Sequence, residues 1–186
     1  MRNERDDPKA RHYFEMQRRK EENFQILIGQ LEHKSLPFRA KAVESLGNSG
    51  DLRAVEPLIR CLEGESEPEI LYLLVCSLGK LKDKRAVEPL LSMMKYEDKW
   101  VRRGAARSIG MLGERSCVDR IVPLLSNVNN GVRVSAVEAL GMLSYWDVVD
   151  DIIPLLEDDD VKVRMAARDA VRRLGRGDLA ERPGFD

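Results

Sequence analysis

Histidine and cysteine are the residues of this sequence best suited to chemistry, and both are scarce. The chain holds two histidines, His12 and His33, and three cysteines, Cys61, Cys76 and Cys117. The cysteines form no CxxC pair and have no plausible histidine partner, and neither a GxSxG motif nor a phosphate-binding loop is present. We therefore predict a protein that is not an enzyme and has no catalytic, metal or cofactor site. Because the three cysteines lie in apolar helical patterns, we expect buried free thiols.

Charged residues are the other candidates for binding chemistry, and they cluster by sign although the net charge is only −1. Residues 99–120 are basic around Trp100, and residues 145–160 contain seven acids and no lysine or arginine. The basic patch could contact a phosphate or an acidic partner, although such charge is more often simply solvated. The acidic patch could cap the next helix or select a basic partner, but it lacks the spacing and glycine of a calcium loop.

The elements that position these residues form a sequence repeat. The stretch WVRRGAARSIGMLGE, residues 100–114, shows the pattern: an apolar residue, arginine at +1, small residues near +4, an aliphatic at +8 and glycine at +9 and often +12. Copies start at residues 38, 70, 101, 132 and 163, which is the signature of stacked supersecondary units. We number these copies repeats one to five.

Each repeat is predicted to form two helices. In the first helix, positions +0, +4, +8 and +11 share one stripe and are expected to be buried. The glycine at +9 allows close approach of a neighbouring helix, and the glycine at +12 suits a left-handed helix end. Asp51 and Asp83 are expected to cap second helices, whose Pro57 and Pro89 fit only a first turn. Pro123 and Pro154 come three positions later, which predicts a late start or a bend.

The arginine at +1 recurs in four of the five repeats and allows two interpretations. It could form a basic ridge for phosphates, or it could bind carboxylates and carbonyls at the turn of the adjacent repeat. We favour the second interpretation, a structural ladder. The residues are Arg39, Arg102, Arg133 and Arg164.

The units VRRGAARSIGMLGE, FRAKAVESLGNSGDLRAVEPL and VRVSAVEALGMLS resemble HEAT repeats, in particular the short HEAT-like class of phycobilisome lyase subunits. The resemblance covers residues 22–178 and implies an all-α, right-handed solenoid of about five helix pairs. Residues 1–21 are expected to be a charged, partly helical segment, with an N-terminal helical cap, and residues 179–186 a tail. Related repeats in deoxyhypusine hydroxylase hold iron with His-Glu pairs, but neither His12 nor His33 is followed by glutamate.

Repeat two departs from the pattern, because its first helix is apolar nearly all round. Leu71, Tyr72, Leu73 and Cys76 stand where other repeats place charged or small residues. A helix of this kind is normally covered. Residues 8–20 could fold back over it, or it could be a docking surface for another chain.

Repeats of this class imply a scaffold or adaptor, and we predict a protein partner bound on the concave second-helix face or on the first helix of repeat two. An accessory subunit of a lyase or cofactor-maturation system and a nucleic-acid or ribosome-associated binder remain alternatives. No apolar run is long enough to cross a membrane, so we expect a cytoplasmic protein. The candidate partner-binding residues are Leu71, Tyr72, Leu73, Glu56, Arg60, Glu88, Ser92, Lys95, Trp100, Arg103, Arg107 and Arg120.

Overall fold

The computed structural model describes residues 8–180, and within that range every regular element is helical. Eleven α-helices follow one another, joined by short turns of 3-10 helix. Their bounds are α1 Pro8–Gln30, α2 Leu36–Asn48, α3 Val55–Gly64, α4 Pro68–Leu81, α5 Val87–Met93, α6 Lys99–Leu112, α7 Val118–Ile121, α8 Asn130–Leu143, α9 Val149–Ile152, α10 Val161–Arg173 and α11 Gly177–Ala180.

The helices form two layers. The first-helix layer consists of α2, α4, α6, α8 and α10, and each of these helices packs on the next one along the chain. The second-helix layer consists of α3, α5, α7, α9 and α11, packed against the first. Neighbours in sequence are thus neighbours in space, which confirms the all-α, right-handed solenoid.

The buried stripe of the first helices follows the repeat pattern. Positions +4 and +8 are fully buried in all five repeats, and position +0 is buried in repeats two to five. Phe38, the +0 residue of repeat one, is exposed and lies on the ring of His33, with 4.5 Å between ring centroids. The expectation of burial is therefore wrong at Phe38, because no earlier repeat covers it, and at the +11 residue Ser49, which is exposed.

Glycine at +9 brings successive first helices into close contact. A Cβ on Gly79 would lie 2.8 Å from the Cα of Ser108, a backbone atom of the next first helix. The Ser108 hydroxyl donates a hydrogen bond to the Val75 carbonyl at 2.8 Å across the same contact. Gly47 and Ser77 repeat this arrangement one unit earlier.

The +12 position adopts the left-handed conformation in every repeat. Gly50, Gly113 and Gly175 have φ between 68° and 81°, and Lys82 and Ser144 have φ of 53° and 59°. The tertiary stack therefore imposes this helix end even on residues that have a side chain.

The second helices begin and end largely as the sequence predicts. Asp51 and Asp83 accept hydrogen bonds from the backbone N–H groups of Arg53 and Arg85, at the 3-10 turns that lead into α3 and α5. Pro57 and Pro89 lie in the first turns of these helices. At Pro123 and Pro154 the chain passes from α-helix into 3-10 segments, Val122–Ser126 and Ile153–Glu157, because proline cannot donate the helical hydrogen bond.

The N-terminal helix α1 does not fold back over repeat two, so that expectation is wrong. Its C-terminal part packs on α2, where Phe24 and Leu27 are partly buried, while residues 11–20 are all exposed. The reason is that α1 is one unbroken helix, with no turn that could reverse its direction. Residues 1–7 lie outside the described part of the chain.

Candidate functional site

The +1 arginines form the predicted ladder. Arg39 and Arg133 each bind two carbonyls of the preceding turn and a carboxylate of the following one, with shortest N–O distances of 2.9 Å to Glu65 and 2.7 Å to Asp158. Arg102 and Arg164 bind carbonyls of the preceding turn. Arg39 and Arg133 therefore tie two turns together, whereas Arg102 and Arg164 bond only the turn that precedes them. All four are engaged within the protein, which favours the ladder over a ridge for phosphates.

Much of the basic patch of residues 99–120 is also neutralised. Arg115 forms a two-bond ion pair with Asp147, and Arg120 forms one with Glu88 at 2.6 and 2.9 Å. Arg103 lies 3.5 Å from Glu138. The patch is therefore divided between the two layers, and most of its arginines already have a carboxylate or carbonyl partner.

The predicted residues of the second-helix face lie together on α3, α5 and α7, and we call them the second-helix surface. Arg60 lies 3.6 Å from Glu56 on the same helix. Ser92 donates to the Pro89 carbonyl, and Lys95 lines a small hollow with Glu88 and Arg120. The polar groups on this surface mainly bind one another. Its residues are Glu56, Arg60, Glu88, Ser92, Lys95 and Arg120.

Four of the other predicted residues, Tyr72, Trp100, Arg103 and Arg107, come together on the first-helix layer, in a groove of about 380 Å³ that crosses α4, α6, α8 and α10. We call it the first-helix groove. Small residues of the repeats form its floor, and aromatic and charged side chains form its walls. Its lining residues are Tyr72, Trp100, Arg103, Gly104, Arg107, Glu138, Gly141, Met142, Ala166, Asp169, Ala170 and Arg173.

Trp100 is the most prominent side chain of the groove. Its indole is 55% exposed, with the Lys99 ammonium 5.1 Å and the Arg103 guanidinium 6.0 Å from the ring centroid. Arg107 has no carboxylate partner within residues 8–180. The groove thus offers an aromatic face and an available cation, both able to contact a partner.

Glu138 is the acidic centre of the groove. Burial raises the pKa of its carboxyl group, and the nearby guanidinium of Arg103 lowers it less than burial raises it. A partly desolvated carboxylate can accept a hydrogen bond from an incoming donor. The wall therefore carries both signs of charge, with Asp169 and Arg173 on the next helix.

Of the three predicted residues of repeat two, Tyr72 lines the groove, and Leu71 and Leu73 do not. Tyr72 is 39% exposed, and its ring packs where a Cβ on Gly104 would lie. Leu71 is only 1% exposed and is covered by its neighbours in the stack, and Leu73 is partly buried. The expectation that the apolar first helix of repeat two is a docking surface is therefore wrong at Leu71, because α2, α3 and α6 already cover α4.

Sequence reasoning missed eight of the twelve lining residues of the groove, although the repeat pattern contains the signal. Glu138 and Asp169 occupy position +6, as Arg107 does in repeat three, so stacking must place them in one row. Arg173 is at +10 in repeat five. The exposed Trp146 on the second-helix layer was also missed, and its site is described below.

The cysteines are free thiols, as predicted. Cys117 is buried and Cys61 and Cys76 are partly buried. Burial raises the pKa of all three thiols, that of Cys117 to about 11, which keeps them protonated and unreactive near neutral pH. Within residues 8–180 no group of three or more histidine, cysteine or acidic side chains could hold a metal ion.

In the same part of the chain, none of the helices combines the length and the apolar character needed to span a membrane.

Comparison with known proteins agrees with the stacked architecture. A family model described as HEAT repeats matches residues 59–128 and 118–181, and one described as PBS lyase HEAT-like repeat matches residues 38–64. No curated protein sequence matches the chain.

Among solved structures, the chain is similar to a protein in the complex of CpcE and CpcF of phycocyanin lyase from Nostoc sp. PCC7120, with 26% identity and a TM-score of 0.66. That match covers 84% of this chain and 66% of the other, just under two thirds of its length. An engineered protein (18% identity, TM-score 0.53) covers 82% of this chain and 79% of its own. A designed armadillo repeat protein in complex with the peptide (KR)4 (17%, 0.51) covers 80% of each, and these two show the fold alone. With two family models matched across the repeats, the chain belongs to the HEAT-repeat family.

Proposed function

We propose that this protein is a non-enzymatic scaffold or adaptor that binds a protein partner through the first-helix groove. The observation that supports this most strongly is Trp100, a tryptophan 55% exposed among cations, beside a floor of small residues. Leaving a large apolar ring in water costs free energy that a partner would recover by covering it.

The composition of the groove is that of a binding surface. Tryptophan, tyrosine and arginine are the residue types that most often dominate binding energy at protein interfaces. Trp100, Tyr72, Arg103 and Arg107 supply all three types within one groove. The small residues Gly104 and Gly141 let neighbouring helices approach closely beneath these side chains, where a Cβ would meet Tyr72 and Ala170.

The second-helix surface is the weaker alternative for the same function. Its arginines are already engaged, since Arg120 holds both oxygens of Glu88 and Arg60 lies beside Glu56. A partner would have to replace these bonds before it gained any of its own. The first-helix groove needs less rearrangement, because among the described residues no carboxylate pairs with Arg107 and the Trp100 ring is more than half exposed.

A second candidate function is that of an accessory subunit in a lyase or cofactor-maturation system. The similarity to a protein of the CpcE and CpcF complex of phycocyanin lyase favours it. In this role the groove would bind another subunit or the protein being modified. Binding of nucleic acid has less support, because the arginines around Trp100 are largely paired within the protein.

Site-specific photo-crosslinking in the cells that make the protein tests the proposal. A photoreactive phenylalanine analogue is placed at position 100 or 107 in the groove, and at position 92 or 95 on the second-helix surface. We expect the two groove positions to crosslink to the same protein. The second-helix positions should not crosslink to it.

Arg103→Glu and Arg60→Glu provide matched controls, because both arginines are more than half exposed and each lies about 3.5 Å from one glutamate. Arg103→Glu should abolish the crosslink from position 107, and Arg60→Glu should leave it unchanged. Crosslinks only from positions 92 and 95, crosslinks mainly to RNA, or turnover of a substrate by the purified protein would contradict the proposal.

A further inference from the structure

The N-terminal half of α1 presents exposed aromatic side chains that no other helix of residues 8–180 covers. Tyr13, Phe14 and Met16 are exposed, and the Tyr13 and Phe14 rings contact each other edge to face with 6.0 Å between centroids. The C-terminal half of α1 is the part that contacts repeat one. There the Arg53 guanidinium covers the Phe24 ring at 4.4 Å and binds Glu21. A helical segment of about 13 residues, such as Pro8–Lys20, is only marginally stable in water when nothing packs against it.

The charge of this half-helix restricts what can cover it. Between Pro8 and Lys20 it carries five basic residues and a single acid, Glu15, although Lys9 and Arg18 already have contacts, that of Arg18 being with Glu22 at 3.3 Å. An acidic surface with an aromatic or apolar feature therefore complements it, whereas the first-helix groove, with its three arginines, would repel it. The basic residues are Lys9, Arg11, Arg18, Arg19 and Lys20.

Such a surface lies in repeat four of the same chain. Trp146 is 79% exposed and stands at a cleft of about 310 Å³ whose base includes Val149 and Leu174. Asp150 lines the cleft beside it, and Asp151 follows on α9. Asp147 and Arg176 also line the cleft, but each is paired, with Arg115 and Asp178 respectively. Asp150 and Asp151 are both exposed, and neither forms an ion pair within residues 8–180. The cleft can admit an aromatic side chain while these carboxylates meet cations.

We propose that the N-terminal half of α1 from one copy of the protein docks on this Trp146 surface of a second copy. Docking within one molecule is excluded in this structure, since α1 continues without a break into its anchor on repeat one and residues 11–20 are exposed. The contact joins unlike ends, so it is a head-to-tail interface that builds open chains or rings. It uses neither candidate surface for the protein partner.

Charge reversal tests this arrangement. The α1 variant carries Arg18→Glu, Arg19→Glu and Lys20→Glu. The second variant, on the Trp146 surface, carries Asp150→Lys and Asp151→Lys. Sedimentation of the full chain over a concentration series should show assembly of the wild type at low ionic strength and the 21.2 kDa monomer at high ionic strength. Each variant alone should stay monomeric.

An equimolar mixture of the two variants should assemble again, because the intact α1 meets the intact Trp146 surface and the two reversed surfaces also carry opposite charges. The control Glu63→Lys with Glu69→Lys makes the same charge change at two exposed acids elsewhere and should assemble like the wild type. Circular dichroism confirms that each variant folds.

A wild type that stays monomeric at low ionic strength would overturn the proposal. Assembly that persists in the variant with Asp150→Lys and Asp151→Lys would overturn it too. Anionic phosphatidylserine vesicles give a third readout. If they retain the monomeric wild type but not the α1 variant, α1 serves a lipid surface, and the proposal fails.

Discussion

The two layers of the stack are built on different principles. In the first-helix layer, glycines at +9 let backbones touch, and buried serine hydroxyls bond to carbonyls of the preceding helix. In the second-helix layer, neighbouring repeats are joined largely by exposed ion pairs such as Arg120–Glu88 and Arg115–Asp147. Close packing cannot be altered without strain, whereas exposed ion pairs contribute little to stability. The comparison indicates that the first-helix layer carries most of the cohesion between repeats.

The largest expected effect comes from filling a contact between first helices. Gly79→Ala places a methyl group against the backbone of Ser108, which cannot move aside without shifting α6. We expect the free energy of unfolding, measured by urea denaturation, to fall by about 3 kcal/mol.

The matched control for this substitution is Gly29→Ala on α1, where an added Cβ meets nothing within 4 Å. Alanine there should stabilise the protein by about 0.5 to 1 kcal/mol, because glycine is a poor helix former. Equal effects of the two substitutions would show that the close contact between α4 and α6 is unimportant.

An intermediate effect is expected at the arginine ladder, where the Arg133 and Asp158 side chains are only 16% and 12% exposed. Asp158→Asn should lower the free energy of unfolding by about 2 kcal/mol, since a hydrogen-bonded charge pair is lost. The neighbouring exposed Asp159→Asn, whose side chain bonds nothing in the ladder, should change it by less than about 0.5 kcal/mol.

The same pair predicts a pH dependence. Hydrogen bonds from Arg133 hold the pKa of the Asp158 carboxyl group below its usual range. Its contribution to stability is therefore present above the ordinary aspartate pKa, about 3.9, and is lost as the pH falls through the lowered value. Urea denaturation between pH 6 and acid pH should show a steeper loss for the wild type than for Asp158→Asn.

The smallest effect is expected on the second-helix surface. The Arg120 and Glu88 side chains are both more than half exposed, so their pair is well solvated. A double-mutant cycle with Arg120→Ala and Glu88→Ala should give a coupling energy below about 1 kcal/mol, decreasing further with salt. A larger coupling would mean that the second-helix layer also contributes substantially to cohesion.

The sequence predicts the repeats well because their positions obey local rules. A buried +4 or +8 residue, a left-handed +12 residue and an aspartate cap each depend on a few neighbouring residues and on periodic stacking. The position of α1 could not be predicted in this way. Its apolar residues Tyr13 and Phe14 resemble a buried face, but whether anything covers them depends on the direction of a single long helix.

The groove was predicted only in part for a related reason. Trp100, Arg103 and Arg107 stand out in the sequence because they are neighbours in one repeat. Glu138 and Asp169 join them only through stacking, since Glu138 follows Arg107 by 31 residues and Asp169 follows Glu138 by another 31. The prediction that Leu71 binds a partner is wrong for a different reason. The sequence does not distinguish an apolar residue buried between repeats from one exposed for a partner.

The central claim is that the first-helix groove, and not the second-helix surface, binds a protein. It is tested most directly by the dissociation constant of the partner identified by crosslinking, measured with Arg103→Glu and with Arg60→Glu. We expect Arg103→Glu to weaken binding at least about tenfold, because it reverses a charge next to Trp100, and Arg60→Glu to leave binding unchanged. An unchanged constant for Arg103→Glu, or a greater loss with Arg60→Glu, would contradict the claim.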